Sequence, residues 1–181
     1  MLGESMRMPL IIRYPAMVKA GRRTDLMVNN ADFAPTIIDL AGGTVPGYMQ
    51  GRSFAEELKE RTPQNWPDAL YYRYWMHGQL RVPAHFGIRT KDYKLIFFYG
   101  RHYGTSSAPW EQPGMPVIPP AWELYDMKND PQESTNLYGR PEYRDVVARL
   151  KQRLAQLRQN LNETDENYPA VQEVIDSHWD N

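Results

Sequence analysis

The most regular hydrophobic pattern in this chain begins at Pro141, where apolar residues recur at spacings of three and four. This period predicts a helix of about six turns with one apolar face. Glu142 and Asp145 lie near its start and basic residues follow, which suits the helix dipole. We expect the apolar face to pack on a sheet. It comprises Tyr143, Val146, Val147, Leu150, Leu154, Leu157 and Leu161.

Upstream of this helix, alternating apolar and aromatic residues predict four strands. Lys91 and Asp92 would form the turn between the second and third strands. The aromatic run at the first strand favours core packing, although aromatic rings also stack on sugars. The predicted strands are Ala69 to Trp75, Gly87 to Thr90, Tyr93 to Tyr99 and Trp122 to Tyr125.

Two further segments carry turn and capping signals. Between the third and fourth strands, the proline-rich segment Gly100 to Ala121 predicts a long loop. After the fourth strand, Asp130 is placed as a helix N-cap, with Pro131 in the first helical position and Glu133 completing a capping box. We therefore expect a short helix to begin at residue 131.

The N-terminal part has a different pattern. Pro9 to Tyr14 is a continuous apolar run with adjacent β-branched residues, which predicts a strand buried on both faces of a parallel sheet. Asp32 is placed to cap a helix that has Pro35 in its first turn and ends at Gly42. One strand and one helix cannot bury both faces of a sheet, so we expect residues 1–60 to be the tail end of a larger α/β domain.

Composition narrows the classes of function. The net charge of -1 gives no electrostatic support for nucleic-acid binding, and no apolar run approaches the roughly 20 residues that span a bilayer. The absence of cysteine excludes disulfides and thiolate metal sites. The four histidines show no spacing typical of a helical zinc site, so we expect no metal ligands in this chain.

Four blocks of sequence, taken in order, resemble one family. The segment Trp122 to Asn136 has the pattern W-E-L-Y-D-x-K-x-D-P-x-E-x-x-N, and Glu4 to Pro15 has E-S-x-R-x-P-L-I-x-R-x-P. Asn30 to Gly42 contains D-F-A-P-T-x-x-D-L-A-G, followed by Q-G-R-S, and His85 to Ile96 contains H-F-G-I-R-T-x-x-Y-K-L-I. Together they are similar to the C-terminal region of arylsulfatase-type sulfatases, the formylglycine-dependent members of the alkaline phosphatase superfamily.

This resemblance implies an α/β fold with two parts. Residues 1–60 would be the remnant of the large alkaline-phosphatase-like sulfatase domain. Residues 61–181 would be the C-terminal α+β subdomain, a four-stranded antiparallel sheet packed against a long C-terminal helix. The implied activity is that of a sulfuric ester hydrolase acting on sulfated saccharides, and complete family members are commonly periplasmic, secreted or lysosomal.

The resemblance also implies where the chemistry lies. The family's nucleophile is a formylglycine made from Cys or Ser in a C/S-x-P-S-R motif, and Ca²⁺ is held by Asp and Asn residues further upstream. No serine of this chain heads such a motif. We therefore expect no catalytic residue and no calcium ligand here, no activity of the chain alone, and an N-terminal catalytic half as a possible partner.

Three residues are candidates for substrate binding. His85 heads a hairpin that, in the family, leans over the mouth of the active site, where imidazole can hydrogen-bond the sugar. Arg89 would point to the same face of a regular strand, and His77 is a weaker candidate. Alternatively, His85 and Arg89 only tie the subdomain to the main domain. Where relatives have a His-rich stretch after His77, this chain has Gly78 to Arg81, which leaves the sugar and the sulfate position open.

Two other functions remain possible at this stage. The chain could come from a phosphate or phosphonate ester hydrolase of the same superfamily, which would differ in the part that carries the nucleophile. It could also be a noncatalytic module that binds saccharides or a partner chain. The exposed sheet edges expected of a lone Pro9 to Tyr14 strand count against a free-standing module.

Overall fold

The computed structural model describes residues 3–61, 63–75, 77, 82–101 and 117–181. It divides into two compact units, Met1–Leu70 and Tyr71–Asn181. Most of the predicted Gly100 to Ala121 loop, and the segment 78–81, lie outside the described residues.

Where it is described, the first unit contains three short α-helices and a 3-10 turn. Helix α2 follows directly on the 3-10 turn, so that Asp32 is both the last residue of the turn and the N-cap position of α2. The elements are α1 (Gly3–Met6), the 3-10 turn Asn30–Asp32, α2 (Phe33–Leu40) and α3 (Ala55–Leu58).

Asp32 occupies the predicted cap position but does not cap α2 with its side chain. Its carboxylate instead accepts the backbone N–H of Asn29 at 2.9 Å and the backbone N–H of Arg52 at 2.9 Å. The first of these bonds completes a capping box on the 3-10 turn, in which the Asn29 side chain accepts the N–H of Ala31 at 2.8 Å. Asp32 thereby joins the start of α2 to the extended segment that contains Arg52.

Further along α2, two polar side chains hold the same segment. The Thr36 hydroxyl accepts the backbone N–H of Phe54 at 3.1 Å, and Asp39 accepts a hydrogen bond from the Ser53 hydroxyl at 2.5 Å. Spacings of four and three place Asp32, Thr36 and Asp39 on one side of the helix. Hydrogen bonds from one face of α2 therefore link the D-F-A-P-T-x-x-D-L-A-G block to the Q-G-R-S block.

The predicted strand at Pro9 to Tyr14 is wrong for this structure. Residues 7–14 are irregular, and Ile11 is 89% exposed. A strand that is buried on both faces needs a paired strand on each side. The described residues of 3–61 contain no strand that could pair with this segment. The apolar run thus remains at the surface.

The second unit is built on the predicted four-stranded sheet, with strand order β1-β2-β3-β4. The pairs β2/β3 and β3/β4 are antiparallel, with His85 opposite Phe98 and Phe97 opposite Trp122. Strand β2 begins at His85, two residues before the predicted start, and the remaining strands match the prediction closely. The strands are β1 (Ala69–Tyr74), β2 (His85–Thr90), β3 (Tyr93–Phe98) and β4 (Ala121–Asp126).

One face of this sheet packs on helices. The predicted long helix is confirmed as a 3-10 turn, Pro141–Tyr143, followed by α4 (Arg144–Asn160), which contacts β2 and β3. A further helix, α5 (Pro169–His178), was not predicted from the sequence. The buried residues of this core include Phe86, Ile88, Leu95, Phe97 and Leu124 from the sheet and Leu150, Leu154, Val171, Val174 and Ile175 from the helices.

A buried ion cluster fixes the connection between α4 and α5. The fully buried carboxylate of Asp165 lies 2.6 Å from Nη2 of Arg73 on β1 and also accepts a hydrogen bond from Arg158 on α4. Both guanidinium groups lie over the ring of Phe86, with the Arg158 Cζ 4.3 Å from the ring centroid. Because both charges of each pair are buried, removal of one partner would leave an uncompensated charge.

The predicted helix start at Asp130 is also wrong. Residues 131–132 form a turn, and the Asp130 carboxylate accepts the backbone N–H of Thr135 at 2.9 Å. Glu133 adopts a positive φ of 57°, and its buried carboxylate accepts a hydrogen bond from the buried Lys94. The Glu133 carboxylate therefore pairs with Lys94 on the sheet and does not form the predicted capping box.

Among the helices of the described ranges, none is long and apolar enough to cross a membrane.

Candidate functional site

The sheet face opposite the helices carries the predicted site residues of β2. Side chains alternate along a strand, so His85, Gly87 and Arg89 share one face, while Phe86 and Ile88 point to the helical core. The residues paired with His85 and Arg89 on β3 are Phe98 and Lys94, which lie on the same face.

The imidazole of His85 is fully buried among aromatic rings. The Tyr74 ring stacks on it with centroids 5.6 Å apart, the Tyr72 ring meets it edge to face at 5.8 Å, and the Phe98 ring lies at 5.0 Å. Its Nδ1 is 2.6 Å from the carbonyl oxygen of Pro83. Because a carbonyl only accepts, Nδ1 carries the proton and Nε2 is left as an acceptor.

Burial has a direct electrostatic effect on His85. It lowers the pKa of the imidazole to about 4, with a smaller contribution from the positive charge of Lys94, while the hydrogen bond to Pro83 partly opposes the shift. The side chain is therefore neutral at pH 7. A neutral imidazole with Nδ1 protonated presents one acceptor, Nε2, and this atom is buried and has no hydrogen-bond partner in the structure.

His77 lies beside the start of the same strand. It is buried, and its Nδ1 accepts the backbone N–H of Ala84 at 3.3 Å. The carbonyl of Ala84 in turn accepts the N–H groups of Tyr99 and Gly100, at 3.1 and 3.2 Å. We call His77, Ala84 and His85 the histidine end of the sheet.

Arg89 lies at the other end of β2. It lies four positions along the strand from His85, a distance of about 13 Å. It is half-buried and lies directly opposite Lys94. The structure thus brings His77 and His85 together and places Arg89 apart from them, and substrate binding by these three residues stays a prediction.

Two further residues belong to this face. Lys94 was not identified from the sequence, whereas Tyr72 lies in the aromatic run for which core packing was favoured over stacking on sugars. Lys94 is a fully buried cation. Burial lowers its pKa, while the hydrogen bond that it donates to Glu133 favours the charged form. Tyr72 has a buried hydroxyl, and burial raises its pKa well above the usual value, with Glu133 and Glu123 adding to the shift. The sequence feature that could have identified Lys94 is its position within the apolar and aromatic residues of β3.

Gly87 explains how the Tyr72 hydroxyl reaches this face. A Cβ at position 87 would lie 2.8 Å from the hydroxyl oxygen of Tyr72 and 2.4 Å from the carbonyl oxygen of Leu95. Any other residue would therefore displace the tyrosine or the neighbouring strand. The H-F-G-I-R-T block requires glycine at this point for steric reasons.

The side chains that the structure describes do not fit a metal centre, and the sequence does not fit a formylglycine site. In the described ranges, no three His, Cys, Asp or Glu side chains are grouped closely enough to hold a metal ion. The sequence has no cysteine and no serine in a C/S-x-P-S-R context. What this end of the sheet offers is the buried, neutral imidazole of His85, which can accept a hydrogen bond.

Comparison with known proteins identifies the relatives of this chain. Residues 1–160 match the family model "N-sulphoglucosamine sulphohydrolase, C-terminal". An N-acetylglucosamine-6-O-sulfatase of Bacteroides thetaiotaomicron is 40% identical over 93% of the chain, which covers 26% of that protein. An ulvan-active sulfatase of Formosa agariphila is 27% identical over 80% of the chain, which covers 31% of that protein.

A solved structure agrees with these relatives. A protein in complex with its substrate D-glucosamine-2-N,6-O-disulfate superimposes with a TM-score of 0.74 at 39% identity, over 88% of this chain and 29% of its own. A phosphonate monoester hydrolase of Agrobacterium radiobacter, at 22% identity and a TM-score of 0.60, shares the fold. The chain thus spans roughly a quarter to a third of the proteins it matches.

Proposed function

Since this chain belongs to the N-sulphoglucosamine sulphohydrolase C-terminal family and is a C-terminal portion of an alkaline-phosphatase-superfamily sulfatase, we propose that it serves in the hydrolysis of sulfate esters of saccharides. The observation that carries the proposal is the 40% identity to an N-acetylglucosamine-6-O-sulfatase over 93% of the chain. A sulfated glucosamine is accordingly the substrate class that we propose.

The reacting groups would come from outside this chain. Sulfatases generally need a formylglycine and a metal ion, which we propose to be Ca²⁺, and the residues described above provide neither. Our proposal is that the chain forms one wall of the substrate pocket. The nucleophile and the metal would be supplied by the part of the sulfatase that this chain does not match.

Within that wall, we assign substrate contact to the face of β2 that carries His85 and Arg89, with His77 supporting its end. The neutral imidazole of His85 can accept a hydrogen bond from a sugar hydroxyl or amine, and the Arg89 guanidinium suits a sulfate group. The aromatic rings of Tyr72 and Tyr74 beside His85 would shield such a contact from bulk solvent.

We further propose that residues 1–60 belong to the large α/β domain of the sulfatase and residues 61–181 to its C-terminal subdomain. The supporting observation is the exposure of apolar residues in the first part, including Ile11 at 89% and Ile37 at 66%. Such side chains are suited to the interior of a larger sheet domain.

A chimera would test this function. The C-terminal quarter of the 40% identical sulfatase is replaced by this chain, and sulfate release from N-acetylglucosamine 6-sulfate is measured. We expect the chimera to turn over the substrate, the His85→Ala chimera to show reduced kcat/KM, and the 181-residue chain alone to show no turnover. An inactive chimera that is folded and carries its formylglycine would contradict the proposal, as would turnover of an aryl sulfate by the chain alone.

A further inference from the structure

Two buried polar atoms of adjoining side chains on this sheet face have no hydrogen-bond partner among the described residues. They are Nε2 of His85 and the hydroxyl oxygen of Tyr72. The two rings are in edge-to-face contact, with centroids 5.8 Å apart, and the Tyr72 hydroxyl lies over Gly87, the next residue of this face after His85. Buried polar groups in native proteins are almost always hydrogen-bonded, so two neighbouring exceptions need an explanation.

The hydrogen-bonding chemistry of the two atoms is complementary. His85 donates through Nδ1 to the Pro83 carbonyl, which makes Nε2 an acceptor only. The Tyr72 hydroxyl keeps its proton because burial and two nearby carboxylates disfavour the phenolate, so it can donate. A group that accepts from Tyr72 and donates to His85 would satisfy both atoms. A hydroxyl group is the smallest group that does this.

We propose that Tyr72 and His85 form a binding site for one hydroxyl group. The hydroxyl accepts a hydrogen bond from the Tyr72 O–H and donates one to Nε2 of His85. Two sources share this chemistry, an ordered water molecule and a saccharide hydroxyl. The saccharide source rests on the proposed function, whereas the water source is independent of it.

Gly87 supports this assignment. Only glycine leaves room for the Tyr72 hydroxyl above β2, because a Cβ would lie 2.8 Å from that oxygen. At the position where the hydroxyl approaches β2, the strand therefore has a residue without a side chain. Tyr74, the other tyrosine in contact with His85, stacks on the imidazole face and provides a matched control.

Nitrogen-15 NMR of the histidine side chains in the full 181-residue chain tests the proposal. The resonance of an unprotonated imidazole nitrogen moves upfield when that nitrogen accepts a hydrogen bond. We expect Nε2 of His85 to be shifted upfield in the wild type and to move downfield in Tyr72→Phe. It should stay unchanged in Tyr74→Phe. The spectrum of the wild type is informative by itself if Tyr72→Phe fails to fold.

Adding N-acetylglucosamine 6-sulfate distinguishes the two sources. An upfield shift that is present before the addition and is lost in Tyr72→Phe identifies water as the bound group. An upfield shift that appears only with the saccharide identifies a saccharide hydroxyl. An Nε2 resonance at the unbonded position in both conditions would overturn the proposal, and it would leave the sulfate-release test of the chimera unaffected.

Discussion

The two units of this chain differ in where their large apolar side chains lie. Seven of the nine exposed large apolar residues in the described ranges belong to Met1–Leu70, whereas sixteen of the twenty buried hydrophobic residues belong to Tyr71–Asn181. The first unit is held by hydrogen bonds between α2 and the segment that contains Arg52. The second is held by a sheet packed on two helices.

This difference shows which part of the chain has its own hydrophobic core. A sheet covered on one face by α4 and α5 satisfies the ordinary requirement of two packed layers. Helix α2 instead leaves Phe33 and Ile37 exposed, at 38% and 66%. We therefore expect Tyr71–Asn181 to carry most of the free energy of unfolding and Met1–Leu70 to contribute little.

The largest expected effect comes from the buried ion pair of the second unit. Glu133→Gln would leave the buried Lys94 ammonium without its counter-charge, at a cost of about 3–5 kcal/mol in the free energy of unfolding. Glu56→Gln is the matched control in the first unit, because Glu56 accepts from Lys59 at the surface, and we expect no measurable change. Urea denaturation followed by circular dichroism would measure both. Equal effects of the two variants would contradict the expectation that the second unit carries most of the free energy of unfolding.

Two isoleucines test the packing difference directly. Ile88 is fully buried on β2, and Ile88→Ala should lower the free energy of unfolding by about 2–5 kcal/mol through lost burial and a cavity. Ile11 is 89% exposed, and Ile11→Ala should change it by less than about 0.5 kcal/mol. The same urea titration provides the measurement. A large effect of Ile11→Ala would show that the first unit has a core of its own.

The pH dependence of stability is expected to arise in the second unit, because no histidine lies in residues 1–70. Burial lowers the pKa of His85 to about 4 in the folded state, while the unfolded side chain titrates near its ordinary value of about 6.5. Below pH 6.5 the unfolded state binds a proton that the folded state does not. Stability should therefore fall between pH 6.5 and pH 4, by about 3 kcal/mol in total.

Urea midpoints measured across this range would show the slope, and His85→Asn should remove this part of it. The readout is the slope and not the absolute stability, so a general destabilisation by the substitution does not obscure the result. A slope that is the same in His85→Asn and the wild type would mean that another group is responsible.

Five elements of the second unit were predictable because their signals are local, whereas α5 was not predicted. The four strands and α4 follow from periods of two and of three to four in the sequence, each confirmed by the structure. The strand at Pro9 to Tyr14 was not predictable in the same way. Its formation depends on paired neighbours, and sequence pattern alone does not show whether they are present.

The site was predictable in position but not in environment. The hairpin that carries His85 follows from the sequence, whereas its burial depends on the pairing of β1 with β2, which places Tyr72 and Tyr74 around the imidazole. Likewise, Glu133 has the local signature of a capping box, but its partner Lys94 lies 39 residues away in sequence. Long-range partners decided both outcomes.

The smallest expected effect compares one threonine from each unit in the same hydrogen-bonding role. The Thr36 hydroxyl donates to the carbonyl of Asp32 at 2.6 Å and accepts the N–H of Phe54, while the Thr90 hydroxyl donates to the carbonyl of Tyr93 at 3.1 Å and accepts the N–H of the same residue at 3.0 Å. Thr36 is buried and Thr90 is half-buried at a turn.

Thr36→Val would leave the buried N–H of Phe54 unsatisfied, which costs about 1–3 kcal/mol, whereas water can replace the hydroxyl in Thr90→Val and limit the loss to about 1 kcal/mol. Hydrogen exchange at the Phe54 and Tyr93 amides measures each effect locally, so it does not require the two units to unfold together. The exchange rate at Phe54 in Thr36→Val and the rate at Tyr93 in Thr90→Val are each compared with the wild type. A larger increase at Phe54 than at Tyr93 would show that polar contacts organise the first unit. The reverse order would mean that the link between α2 and the Arg52 segment contributes little, and the stability of Met1–Leu70 would then have to come from its few buried apolar residues.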